Sequence, residues 1–111
     1  MRDDALRLSD MLRAIEQIRA YTAAGEAEFF RDSKTADAVA YELLTLGEAA
    51  VQVSARLRSA HPEVPWSGLI RRRNQMAHEY FRTSPAVLWA FVVDELDRLE
   101  RSLRKVSPAS R

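Results

Sequence analysis

The sequence predicts an all-α protein, an antiparallel four-helix bundle. Three observations carry this. Apolar residues recur at spacings of three and four along most of the chain. Only 3 glycines occur in 111 residues, with no asparagine-glycine hairpin signal and little β-type alternation. The breaks at Gly25, His61–Pro65 and Ser84–Pro85 leave short links between long periodic segments.

The first helix is expected from about Asp3 to Ala23, with an apolar stripe of Leu8, Met11, Leu12, Ile15 and Ile18. Gly25 marks its exit. A connection through "EAEFFRDS" follows, with Phe29 and Phe30 expected to cap the core from outside the bundle. Ser33 or Thr35 can start the second helix, because a hydroxyl accepts from free backbone N–H groups. That helix is expected to run unbroken from about Thr35 to Ala60 on one seam: Val39, Leu43, Leu46, Ala50, Val53 and Leu57. Gly47 inside it costs roughly 1 kcal/mol relative to alanine, which a close approach by another backbone or side chain would explain.

"HPEVP" then breaks the chain, since proline blocks helix continuation. A third helix is expected from about Trp66 to His78 or Tyr80. Ser84 caps a fourth, with Pro85 at the first helical position, where its missing N–H costs nothing. The fourth continues to about Lys105 on Leu88, Phe91, Val92, Leu96, Leu99 and Leu103. Residues 1–105 thus read as a single helical domain and 106–111 as a disordered tail.

Composition narrows the chemistry. With 17 basic and 16 acidic residues the net charge is +1, which is not the balance of a protein that coats nucleic acid. The distribution is uneven. Arg71 to Arg82 holds four arginines against Glu79, while Glu26 to Glu48 holds six acids against Arg31 and Lys34. One region suits phosphates and the other a basic surface. The absence of cysteine excludes disulfides, thiolate zinc sites and cysteine nucleophiles. Two histidines argue against a His-rich metal site in one chain, so neither metal nor cofactor is expected. "MRDDALRLSD" does not read as a signal peptide, and "AVLWAFVV" is too short to span a bilayer. A cytoplasmic protein is expected. A domain this small leaves much of its surface exposed, and a symmetric oligomer would cover part of it.

The stretch "RRRNQMAHEYF", Arg71 to Phe81, holds the candidate chemistry. At about 100° per residue, Arg71, Asn74 and His78 share a face, while Arg73, Met76, Ala77 and Tyr80 share another. Arg73 and His78 then stand about 140° apart on the helix. They converge only if the helix frays near His78 or a twofold axis brings a second copy alongside, so a site completed in a homodimer is expected. Histidine suits proton transfer near neutrality. Arginine suits a phosphate, with its permanent charge and forked donors. Asn74 could hold the imidazole or the phosphate, and Tyr80 could stack on a base.

On spacing alone, however, a solvated basic helix end is the simpler reading, favoured by the helix dipole. His61 reads as a loop residue. Trp66, Trp89 and Tyr21 read as core or interface, and Glu48 as a polar residue at a helix contact.

The order Arg73, four residues, His78, one residue, Tyr80 resembles the R-x4-H-x-Y motif of the HepT-like toxins, small all-helical ribonucleases of the HEPN superfamily. "DAVAYELLTLGEAA" is similar to the family's second helix with its Gly-Glu-Ala signature. "HPEVPW" resembles its entry to the motif helix, and Trp89 falls where tryptophan is frequent. The likeness covers about Asp37 to Leu103. It implies a HEPN-like homodimer that cuts RNA without metal, with Arg73 and His78 as the essential pair and Asn74 in support. It also implies a partner, a nucleotidyltransferase antitoxin of the MNT type, as in type VII toxin–antitoxin pairs. Such antitoxins can act by transferring AMP to the motif tyrosine, here Tyr80, where a bulky charged group would block RNA, or just by covering the cleft. A higher toxin–antitoxin assembly is compatible with this.

There are departures. Ala40 and Tyr41 stand where arginine and asparagine are frequent, Arg72 where methionine is, and Ser84 where an acid is. Arg71 and Arg72 are the expected replacement charge on the substrate side. The alternative function is a non-catalytic HEPN-like module that binds nucleotide or a nucleotidyltransferase and cuts nothing.

Overall fold

The computed structural model describes residues 2–79 and 83–106, and among these every regular element is a helix. They are α1 (Arg2–Tyr21), α2 (Glu26–Arg31), α3 (Ser33–Gln52), α4 (Ala55–Ala60), α5 (Trp66–Glu79), α6 (Pro85–Asp94) and α7 (Leu96–Arg104). The expected helical stretches are present. Two of the long ones are broken.

In α1, Asp3 and Asp4 in the first turn and Arg19 in the last complement the helix dipole. Its stripe of Leu8, Met11, Ile15 and Ile18 is buried, joined by Ala14, with Leu12 at the margin. Gly25 has φ 95°, a left-handed conformation that favours glycine, and reverses the chain.

The expected connection after Gly25 contains the short helix α2, and this splits the two phenylalanines. Phe29 is buried, its ring 5.1 Å from that of Trp89, while Phe30 remains 47% exposed. Phe29 is therefore part of the core and not a cap outside it. Asp32, in place of Ser33 or Thr35, caps α3. Its carboxylate accepts from the Lys34 N–H at 3.0 Å and the Thr35 hydroxyl at 3.1 Å.

The second helix is not continuous to Ala60. It stops at Gln52, Val53 and Ser54 are extended, and α4 begins afresh at Ala55. The Ser54 Oγ accepts from the Leu57 N–H at 3.2 Å. Asp4, buried in the first turn of α1, accepts from the Ser54 N–H at 2.8 Å and from its hydroxyl at 2.7 Å. A carboxylate fifty positions away thus satisfies the groups that the break frees. Val53 and Leu57 remain fully buried across it, so the apolar seam holds although the helix does not.

Trp66 opens α5 and is buried, with its indole N–H donating to the His61 carbonyl at 2.9 Å. Ser84 caps α6, accepting from the Ala86 N–H, and Pro85 follows it as expected. The fourth helix is then interrupted at Glu95, where α6 ends and α7 begins. Val106, expected in the tail, is buried, and its N–H donates to the Leu103 carbonyl; 107–111 lie outside the described residues.

The central element is α3, which packs against α1 on one side and α5 on the other. α7 closes over α1, and α6 rests on α3 and α2. The Arg19 guanidinium ties α1 to α7 through Asp97 and Glu100, both at 2.7 Å. No described helix is long and apolar enough to cross a membrane.

Candidate active site

The site residues ride on α5, whose inner face is set by Leu69 and Met76. Met76 and Ala77 do not share a face, because Met76 is buried in the core and Ala77 is exposed. Arg73 lies at the edge of the contact with α3 and is held there by packing and by charge.

Packing comes from Gly47. A Cβ built on Gly47 would lie 2.2 Å from the Arg73 Cβ and 2.9 Å from the Leu69 carbonyl oxygen. Only a residue without a side chain lets α5 approach α3 this closely, which is why a helix-weakening glycine stands mid-helix. Charge comes from the next residue. The Arg73 Nε and one terminal nitrogen donate to the same Glu48 oxygen at 3.2 and 2.8 Å. The other terminal nitrogen donates to the Asn74 amide oxygen at 2.6 Å. Three of the five guanidinium N–H donors are thereby committed, and two have no partner among the described residues.

Glu48, which reads from the sequence as a polar residue at a helix contact with a functional role as the alternative, is the residue that orients Arg73. The Gly-Glu pair carried the signal: glycine admits the arginine and glutamate orients it. Asn74 holds the guanidinium, whereas the imidazole or a phosphate were the expected partners.

His78 is exposed near the end of α5. Helix continues through Glu79, so fraying before His78 does not occur among the described residues. The offset of about 140° between Arg73 and His78 on one helix therefore stands. No described hydrogen bond or ion pair joins them. Tyr80, the candidate for AMP modification, and Arg82 lie outside the described residues.

The three consecutive arginines point in different directions, as a helix requires. Arg72 donates to Glu95 at 2.8 Å and its guanidinium carbon stands 5.2 Å from the centre of the Phe91 ring. It therefore clamps α5 to the α6–α7 break and is not grouped with Arg73. Arg71 is exposed and faces a cleft of about 450 Å³ that Arg98, Gln75 and Glu63 also line. His61 pairs with Glu63 at 3.2 Å in the loop before α5; hydrogen bonding from the Glu63 backbone, then from His61, holds this carboxyl below the usual carboxylate range. Among the described residues, no group of three or more His, Asp or Glu side chains is placed to hold a metal ion.

Comparison with known proteins gives the family. The family model described as "Ribonuclease HepT-like" matches residues 11–106. The chain is 34% identical over 100 residues to the probable ribonuclease HepT of Thermococcus cleftensis, covering 89% of this chain and 91% of that one. It is 33% identical over 69 residues to a candidate RNase of Methanocaldococcus jannaschii, covering 62% of this chain and 57% of the other. A candidate RNase of Caldanaerobacter subterraneus is 27% identical over 79 residues, covering 71% and 70%. No solved structure gives a significant match. The chain belongs to the HepT-like ribonuclease family.

Proposed function

We propose that this chain is a metal-independent endoribonuclease, a single domain that extends through the buried Val106 and works in the cytoplasm as a homodimer of HEPN-like four-helix units. The observation that carries the reading is the fixed Arg73. Glu48 and Asn74 set its guanidinium while two N–H donors have no partner among the described residues, on the same helix as an exposed histidine. A fixed cation with unused donors is what the charge on a phosphorane needs, because the donors do not reorganise during reaction.

In the proposed reaction one His78 imidazole takes the proton of a ribose 2′-hydroxyl, and that oxygen bonds to the adjacent phosphorus. The bond from phosphorus to the 5′-oxygen breaks, and a second imidazole, already protonated, gives that oxygen its proton. The products are a 2′,3′-cyclic phosphate and a 5′-hydroxyl. One chain carries one motif histidine, so a base and an acid of this kind require two copies. A twofold axis would also bring the Arg73 of one copy towards the His78 of the other, which the single helix keeps apart. Exposed Arg71 is assigned to RNA phosphate away from the scissile bond; Arg72 is left out of the site because Glu95 and Phe91 hold it.

The chain is further proposed to be the toxin of a toxin–antitoxin pair, neutralised by an MNT-type nucleotidyltransferase: the deprotonated Tyr80 hydroxyl oxygen bonds to the α-phosphorus of ATP, and pyrophosphate leaves. Support for this part comes from the motif order Arg73, His78, Tyr80.

Purified protein is incubated with RNA in EDTA. Wild type is expected to cut, and Arg73→Ala and His78→Ala each to lose on the order of 100-fold or more in rate. Intact RNA at high concentrations of folded dimer would remove the enzymatic reading and leave the binding module. Intact mass after co-expression with an MNT-type nucleotidyltransferase is expected to rise by AMP units, on a peptide containing Tyr80.

A further inference from the structure

A second feature lies on the α1–α3 side of the molecule. Two hollows there share Asp10, Tyr41 and Thr45 and so form one groove. One end reaches Glu48, the residue that holds Arg73. The other end is a cleft of about 270 Å³ lined by Arg13, Gln17, Tyr21 and Glu42 in addition to the shared residues. That volume is just under the roughly 300 Å³ at which small-molecule sites begin, the scale of a single planar ring system.

Glu42 is the unusual group in this cleft. It is only 9% exposed, yet its carboxylate makes no hydrogen bond and no ion pair among the described residues. Arg13 faces it from α1 and draws its pKa down, but burial is the larger effect and pushes this carboxyl above the usual carboxylate range. Among the described residues its oxygens are not sealed from solvent, so the carboxylate opens on the cleft, where a ligand can supply its donors. Beside it, Tyr41 is 64% exposed and Tyr21 is 38% exposed, although both are large aromatic residues. Tyr21 is not a core residue; it lies at the rim of this cleft.

We propose that this cleft is a base-binding subsite for a guanine of the RNA substrate. Unpaired bases are recognised by stacking on aromatic side chains and by hydrogen bonds on their pairing edge. An ionised carboxylate only accepts, and it accepts best from two parallel donors. Guanine presents two, N1–H and the 2-amino group. Adenine and cytosine each place an acceptor beside their amino donor, and uracil flanks one donor with two acceptors. Tyr41 stacks on the base and Glu42 takes its two donors. The groove leads on towards Arg73, and Arg7 and Arg13, which line it beside Asp10 and Glu48, are the cations that meet the strand's phosphates.

This inference rests on the ribonuclease reading, and the test separates the two. The 5′ ends of the fragments made from a mixed-sequence RNA are mapped. Wild type is expected to favour guanine at one fixed offset from the cut by roughly tenfold, the order of discrimination that one bidentate base contact supplies. Glu42→Gln and Tyr41→Ala are expected to flatten that ratio, and Tyr41→Phe to restore it. Equilibrium binding is measured alongside with guanosine 5′-monophosphate and adenosine 5′-monophosphate, which needs no cleavage. Preference for the guanine nucleotide, lost in Glu42→Gln, supports the subsite even if RNA stays intact. RNA cut in an Arg73-dependent way with no base preference, and equal binding of the two nucleotides, overturns the subsite and leaves the ribonuclease reading standing. A change in oligomeric state for Tyr41→Ala without any change in base preference also overturns it, since the groove is then an interface between copies.

Discussion

Gly47→Ala tests how the arginine is positioned. The added methyl would lie 2.2 Å from the Arg73 Cβ, where ordinary contact begins at 3.4 Å. α3 and α5 must therefore separate locally by roughly 1 Å, because an atom this close is deep in steric repulsion. The obstacles cannot swing away: one is the first side-chain atom of Arg73 and another is the Leu69 carbonyl. Overpacking of this kind costs about 1–3 kcal/mol. Alanine returns about 1 kcal/mol through its better helix propensity. The net expectation is a loss of about 1–2 kcal/mol from the upper half of that range. For a domain near this size that lowers Tm by roughly 5–15 °C. Arg73 moves with its backbone, and if it is the proposed catalytic group a shift on the order of 1 Å costs about 100-fold in rate. Thermal unfolding followed by circular dichroism and RNA cleavage read the two effects separately. A variant as stable as wild type that cuts RNA at the wild-type rate would refute the close-packing argument outright.

Three further expectations follow from other contacts. Asp4→Ala leaves the Ser54 N–H and hydroxyl without their buried acceptor, and urea unfolding should show a loss of about 1.5–3 kcal/mol; an unchanged midpoint would mean that the α3–α4 break does not depend on Asp4. Arg72→Ala should lower stability by about 1 kcal/mol through the lost Glu95 pair and Phe91 contact while RNA cleavage persists, so loss of cleavage in the folded variant would return Arg72 to the site. Glu42 is raised by burial, so the folded state favours its protonated form and wild-type stability falls as pH rises from the usual carboxylate range through the raised pKa. Glu42→Gln should therefore be the more stable protein at neutral pH, with the difference vanishing in acid; a variant less stable at neutral pH would show that ionised Glu42 is satisfied in the fold.

Much of the core was legible because burial follows periodicity. Leu8, Met11, Ile15 and Ile18, and the seam from Val39 to Leu57, are buried as the spacing of threes and fours requires. The two helix breaks were not legible. Apolar spacing runs straight through Val53 and through Glu95, and neither break carries a proline or glycine. The first is stabilised by Asp4 and the second sits where Arg72 reaches Glu95, both contacts between segments distant in sequence. Val106 escaped for a similar reason, since its burial depends on what packs beside it and not on its place near the chain end.

The sequence by itself determined the helical class, the apolar faces and the ordered set of Arg73, Asn74, His78 and Tyr80, because period, caps and motif order are local properties of a chain. It also determined that Arg73 and His78 could not meet on one regular helix, which is a matter of 100° per residue alone. Tertiary structure decided which arginine is held and by what. Three adjacent arginines are chemically equal in the sequence, and only the docking of α5 on Gly47 aims Arg73 at Glu48, Arg72 at Glu95 and Arg71 at solvent. It likewise decided that the Glu42 side chain is largely buried with no hydrogen-bond partner among the described residues, while neighbouring Tyr41 is exposed. Side-chain partners depend on how helices pack against one another, and a pattern read along one helix does not contain the position of the next.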